Sequence, residues 1–234
     1  MGISIHYAGS IAEMHKLQLL IEEVQEIANV HGWEYHVYER EFPIVSEVNS
    51  QYDSLIEDYT HNGNLYGIDF TPEGGEPIPI CFLSNGRMSS IMQLALWGNF
   101  EKESITIIES EEWNENGEYS SSVEELILDQ NKYNQMLYSC SSKTQFAGSH
   151  IHELVIGVLR YISNTYLNDF KLTDEGQFWE TSDTILLQQN FDKNGYLINS
   201  FKTKLVNEKR MPDEDVDSFI RRIVKGIRNS PSEE

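Results

Sequence analysis

His150, His152 and Glu153 stand within one turn's length of each other, and Asp174, Glu175, Glu180 and Asp183 follow downstream. Imidazoles and carboxylates are the usual ligands of a divalent ion that activates water, with a remaining carboxylate as general base. On a helix beginning near Ser149, His150 and Glu153 share one face while His152 points elsewhere. His150, Glu153 and one of Asp174, Glu175 or Glu180 therefore form a candidate metal or polar cluster, the chemistry of a metal-dependent hydrolase. The blander account has Glu153 stabilising a helix start and Asp174-Glu175-Gly176 making a turn.

A second constellation comes from two alternating stretches, ISIHY (3–7) and EYHVYER (34–40). Alternation sets His6 opposite Ile5 and Tyr7, and sets His36, Tyr38 and Arg40 opposite Tyr35 and Val37. If the strands are close, His6, His36, Tyr38 and Arg40 make an open sheet face for a small anionic or aromatic ligand. The competing account covers that face and makes the histidines hydrogen-bonded core residues. No P-loop, dinucleotide fingerprint, zincin helix, nucleophile elbow or paired C-x-x-C is present, so no recognised motif requires a cofactor. TPEGGEP (71–77) has a phosphate loop's glycines but two glutamates and no lysine, and it reads as a hairpin turn. Cys81 and Cys140 lie in apolar runs without metal spacing, as reduced core residues of a cytoplasmic protein do.

These residues need elements to position them. ISIHY leads into YAGS (7–10), then a helical stripe of Leu17, Leu20, Ile21, Val24, Ile27 and Ala28. Gly32 stands at its C-cap, and Ser10 with Glu13 offers a capping box. WEYHVYERE follows as a strand. MLYSCSSKTQF leads into FAGS (146–149), a helix through Leu154, Val155, Val158, Leu159, Ile162 and Tyr166, and an extended return in DFKLTDEGQFWETSD. Two β-α-β units with a small-residue corner each raise the expectation of an internal repeat. Between them, Asn85-Gly86 separates two apolar runs as a hairpin turn, and Asn194-Gly195 repeats that signal between TILLQQ and YLINSF. SITIIES reads as a strand and VEELIL as a short helix capped by Ser121 or Ser122. The class is α+β, a mainly antiparallel sheet with helices on one face. The expected divisions are residues 1–110, an acidic loop or linker at 111–121, a second unit at 122–210, and an amphipathic helix with its tail at 211–234.

Charge narrows the function. The chain of 234 residues carries a formal net charge of −21. Residues 1–201 hold 31 acidic and 9 basic residues, whereas 202–234 hold 7 acidic and 8 basic. Such a field repels nucleic-acid phosphates and anionic lipid, and no apolar run is long enough to span a bilayer. It favours a basic protein partner, and otherwise serves solubility. The sequence thus reads as a soluble, cytoplasmic binding protein that neutralises or regulates a basic partner, with the metal-dependent hydrolase as the alternative.

Overall fold

The computed structural model describes residues 2–43, 61–98, 105–113, 119–127 and 130–228. Strand β1 (Ser4–Ile11) follows the alternation of its sequence, with Ile5 and Tyr7 buried and His6 exposed. It pairs antiparallel on one side with β8 (Cys140–Lys143) and on the other with β9 (Leu167–Asp174). β8 and β9 are therefore parallel to each other with β1 inserted between them. Helix α4 (Ser149–Tyr166) makes the crossover, burying Val155, Ile156, Val158, Leu159 and Ile162 along one stripe.

After β1 a 3₁₀ turn (Met14–Lys16) leads into helix α1 (Leu17–His31), which buries Leu17, Leu20, Ile21, Val24 and Ala28. The chain leaves it through Gly32 at φ 67°, the left-handed C-cap its position predicts. The Ser10 capping box does not form. Ser10 stays in the sheet opposite Asn168, because β9 continues pairing as far as Ile11.

The second sheet has the order β2 (Glu34–Val37), β3 (Tyr66–Thr71), β4 (Ile78–Phe82) and β5 (Met88–Ser89), all antiparallel. TPEGGEP makes the β3–β4 hairpin connection, and Asn85-Gly86 turns the chain from β4 into β5, with Gly86 at φ 78°. One apolar core joins α1, α4 and both sheets. Trp33 stacks on Phe70 within it, and the Tyr7 hydroxyl donates to the Pro79 carbonyl at 2.8 Å. A smaller cluster of Leu65, Cys81, Leu83, Leu137 and Tyr138 packs against Leu94 and Trp97 of helix α2 (Ile91–Trp97). Leu137 ends helix α3 (Gln130–Leu137). Cys81 and Cys140 are buried and free of any disulfide, and burial pushes both thiols upward in pKa.

The structure corrects three local expectations. VEELIL is strand: β6 (Ile105–Trp113) and β7 (Tyr119–Ile127) pair in unbroken register, satisfying backbone groups that a short helix would leave orphaned at its ends. Those strands also take residues 111–113 and 119–121 of the acidic stretch, whose middle, 114–118, lies outside the described residues. The Asn194-Gly195 hairpin is absent. After the short helix α5 (Phe178–Thr181), one 24-residue helix, α6 (Thr184–Asn207), runs through both residues. Its N-cap, Asp183, accepts the Ile185 and Leu186 amides at 2.9 and 3.0 Å, and Asn194 donates its side-chain amide to the Asn190 carbonyl. Helix α7 (Val216–Arg228) then packs back on α6.

The two β-α-β units differ in topology: β1 and β2 enter different sheets, whereas β8 and β9 share one. YAGS lies inside a strand, and FAGS forms the turn before α4. The chain is α+β, about half helix and about a fifth strand. Among the described residues no helix is long and apolar enough to cross a membrane.

Candidate functional site

The histidine that meets a carboxylate is His152. It lies on α4 in phase with Val155, Ile156 and Leu159, so the helix turns it into the core, where it is fully buried. Its Nε2 is 3.1 Å from both oxygens of Asp174 at the end of β9, and its Nδ1 is 2.7 Å from the Thr144 hydroxyl just past β8. A carboxylate only accepts, so Nε2 is the ring nitrogen that donates to Asp174, and the Thr144 hydroxyl meets Nδ1. Phe191 of α6 covers the ring edge-on at 5.4 Å. Asp174 also accepts the backbone amides of Gly176, Phe178 and Trp179 at 2.6, 2.8 and 3.0 Å. Burial opposes ionisation of this carboxyl, yet the His152 bond and the amides hold its pKa below the ordinary aspartate value.

This arrangement has the residue types of a catalytic triad and the surroundings of a structural clamp. Thr144, His152 and Asp174 are 1%, 0% and 4% exposed, so no substrate atom reaches them. Each polar group has its partner, and together they tie β8, α4, β9 and the turn into α5. That turn contains Gln177 at φ 63°, a left-handed conformation that a non-glycine residue holds only when its surroundings fix it.

The expected cluster is thereby divided. Asp174 belongs to the clamp. His150 is exposed on the first turn of α4, Glu153 is half-buried, and Glu180 is exposed on α5. Glu175 turns outward, accepting the Ser4 amide at 2.8 Å with His6 at 3.9 Å. Among the described residues, no three His, Cys, Asp or Glu side chains stand where one ion could be held. The expected sheet face is divided too. His6 is in the first sheet and His36 in the second, while Arg40 lines a separate cavity of about 510 Å³ with Met14, Gln18 and Phe42.

His36 and Tyr38 do come together. Their rings meet edge to face at 4.6 Å, and both line a groove of about 420 Å³ between β2 and α2. Glu39 and Asn64 supply polar lining, and Leu65, Ile91 and Leu94 form the apolar wall. Glu39 is fixed through its backbone, donating to the Leu65 carbonyl and accepting from the Gly67 amide. The Tyr38 hydroxyl donates to Asp69 at 2.7 Å, and burial together with that carboxylate raises the phenol's pKa well above the ordinary tyrosine value. The proton stays on the oxygen, and the carboxylate behind it enriches the ring in electron density. Next to Glu39, such a ring is a receptor for a cation.

Thr144, Asn64, Ile91 and Leu94 escape sequence reasoning because they reach their places only through tertiary packing. His152 carried a signal: it sits three, four and seven residues before Val155, Ile156 and Leu159, which puts an imidazole on the buried face. Compared with known proteins, the chain matches no family model, no curated sequence and no solved structure.

Proposed function

We propose that this chain is a cytoplasmic binding protein whose partner is a basic protein, engaged through the groove between β2 and α2. The observation that carries the reading is the lining of that groove. Two rings, the exposed acidic residue Glu39 and Asp69 behind Tyr38 stand beside an apolar wall, on a chain of net charge −21. A lysine or arginine side chain fits this chemistry: its head lies on the Tyr38 face near Glu39, and its aliphatic stem lies on Leu65, Ile91 and Leu94. The chain's general negative field speeds encounter, and the groove gives the contact its position.

The test uses a fluorescently labelled arginine-rich peptide titrated into the purified chain at low and at high salt. Binding should weaken as salt rises, and Glu39→Lys should weaken it about tenfold more than Glu26→Lys, which makes the same charge change on the exposed side of α1. Equal losses in the two variants would mean that only net charge is being sensed, and the groove would lose its role.

A further inference from the structure

Strand β2 ends the second sheet, and the ladder to β3 fixes which of its backbone groups are already paired. Tyr38 donates its amide to the Gly67 carbonyl at 2.9 Å, and the same register sets His36 opposite Asp69 and Glu34 opposite Thr71. Bonded and non-bonded pairs alternate along an antiparallel ladder, so the amides and carbonyls of Tyr35 and Val37 point away from β3. Among the described residues nothing takes them up. The side chains agree: Glu34, Tyr35 and His36 are exposed in succession, on both faces of the strand, Tyr35 by 39%. The opposite end of the sheet is closed. There the Ser89 hydroxyl of β5 donates to the Leu137 carbonyl at 2.8 Å, and the Ser89 carbonyl accepts the Cys140 thiol.

Such an edge is a template for one more strand, and charge decides what joins it. Glu34, Glu39 and Glu41 are exposed on β2 and just beyond it, with Arg40 among them, and Asp69 stands behind Tyr38. A second copy would bring the same glutamates and the same net charge of −21, which opposes edge-to-edge pairing; a basic segment is attracted. Geometry connects this edge with the groove. Alternation puts Glu34, His36 and Tyr38 on one face of β2 and Tyr35 and Val37 on the other. His36 and Tyr38 line the groove together, so the first face is the one that bears it. A strand laid on β2 brings every second side chain to that face, its Cβ atoms about 5 Å from those of the cross-strand neighbours.

We infer that β2 receives its partner by strand addition: an extended basic segment pairs with the free backbone groups of Tyr35 and Val37 and turns alternate lysine or arginine side chains onto the His36–Tyr38 face, beside Glu39. Strand addition rests on the groove reading and deepens it, replacing one docked side chain by basic residues at every second position of the partner. Backbone bonds supply a hold that does not depend on sequence, and the groove selects charge and spacing.

Short peptides alternating arginine and threonine, titrated into the full chain, test it. In either strand direction only one alternate set of peptide amides faces β2. Two further peptides, one N-methylated at the arginines and one at the threonines, should therefore differ: one binds about tenfold or more weaker, and the other nearly as well as the unmodified peptide. On the protein, Tyr35→Pro removes an outward amide without touching the β3 ladder, a change that edge strands tolerate, and should weaken the unmodified peptide by a similar factor. Tyr35→Thr keeps the amide and should bind nearly as well as wild type. Equal tolerance or equal loss of the two methylated peptides overturns strand addition, as does unchanged binding by a Tyr35→Pro chain whose circular dichroism shows it folded. Glu39→Lys, measured with the unmodified peptide, reports the groove separately. Loss in that variant, with methylated peptides that bind alike, removes strand addition and leaves the groove; no binding of the unmodified peptide to wild type removes both.

Discussion

Removing the Asp174 carboxylate should open the clamp at the end of β9. Asp174→Ala deletes the acceptor of three amides, from Gly176, Phe178 and Trp179, and leaves His152 Nε2 buried without a partner. Leaving a buried donor without its acceptor costs about 1–3 kcal/mol, and Asp174 serves several such donors, so a loss of about 4 kcal/mol is expected. Asp174→Asn keeps an acceptor oxygen and loses the charge; about half that cost follows, which keeps the variant folded and measurable. Urea unfolding followed by far-ultraviolet circular dichroism reads both values from the midpoint. The pH dependence has a definite sign. The folded carboxyl has a lowered pKa, so its contribution is present above the unfolded aspartate value and is lost as pH falls through the folded one. Wild-type chain should therefore lose more stability than Asp174→Asn on going from neutral to acid conditions. If both variants stay within about 1 kcal/mol of wild type, and acid sensitivity is unchanged, the clamp does not hold this corner and the reasoning fails.

Three further outcomes are expected, each read from urea midpoints. Thr144→Val removes the hydroxyl facing His152 Nδ1 and should cost about 1–2 kcal/mol, with unchanged secondary structure by circular dichroism. Gly67→Ala should cost about 3 kcal/mol or more, because Gly67 has φ 126° and an added Cβ would overlap the Ile80 carbonyl oxygen of the neighbouring strand. Gly195→Ala should stabilise by up to about 1 kcal/mol: its Cβ meets nothing within 4 Å, and alanine favours the helix interior that α6 provides. A hairpin turn at that position would give the opposite sign.

Where one local pattern had no rival, sequence alone located the element. β1 alternates with period two, α1 and α4 repeat apolar residues at helical spacing, and Gly32 and Asn85-Gly86 carry backbone requirements that few residues meet. Legibility failed where two local signals competed. Asn194-Gly195 is a strong turn pair, but Asp183 starts a helix and Leu187 and Phe191 dock it on the core, which outweighs roughly 1 kcal/mol of glycine penalty. The β6–β7 hairpin was hidden because a strand's worth depends on its partner, which VEELIL does not reveal. The site failed for the same reason. His36 and Tyr38 were visible as neighbours by alternation, but Glu39's fixed backbone, the Asp69 support and the α2 wall come from segments that only the fold brings together. His150 and His152 differ by two positions and therefore by about 200° around α4, enough to send one to solvent and the other to the core.

The position of β1 has a consequence for how the chain is made. β1 is the central strand of its sheet, yet both of its partners come from residues 140–143 and 167–174. On a ribosome adding roughly 5–20 residues per second, the first strand leaves the tunnel with both edges unpaired and waits about ten to thirty seconds for its neighbours. Meanwhile Ile3, Ile5 and Tyr7 have α1 and the second sheet, whose strands all lie before residue 90, as core partners among the described residues. Synthesis therefore favours an order in which that earlier half collapses first and holds β1 as a template. The segment from β8 through α4 to β9 then closes around it from both sides as its last residues emerge.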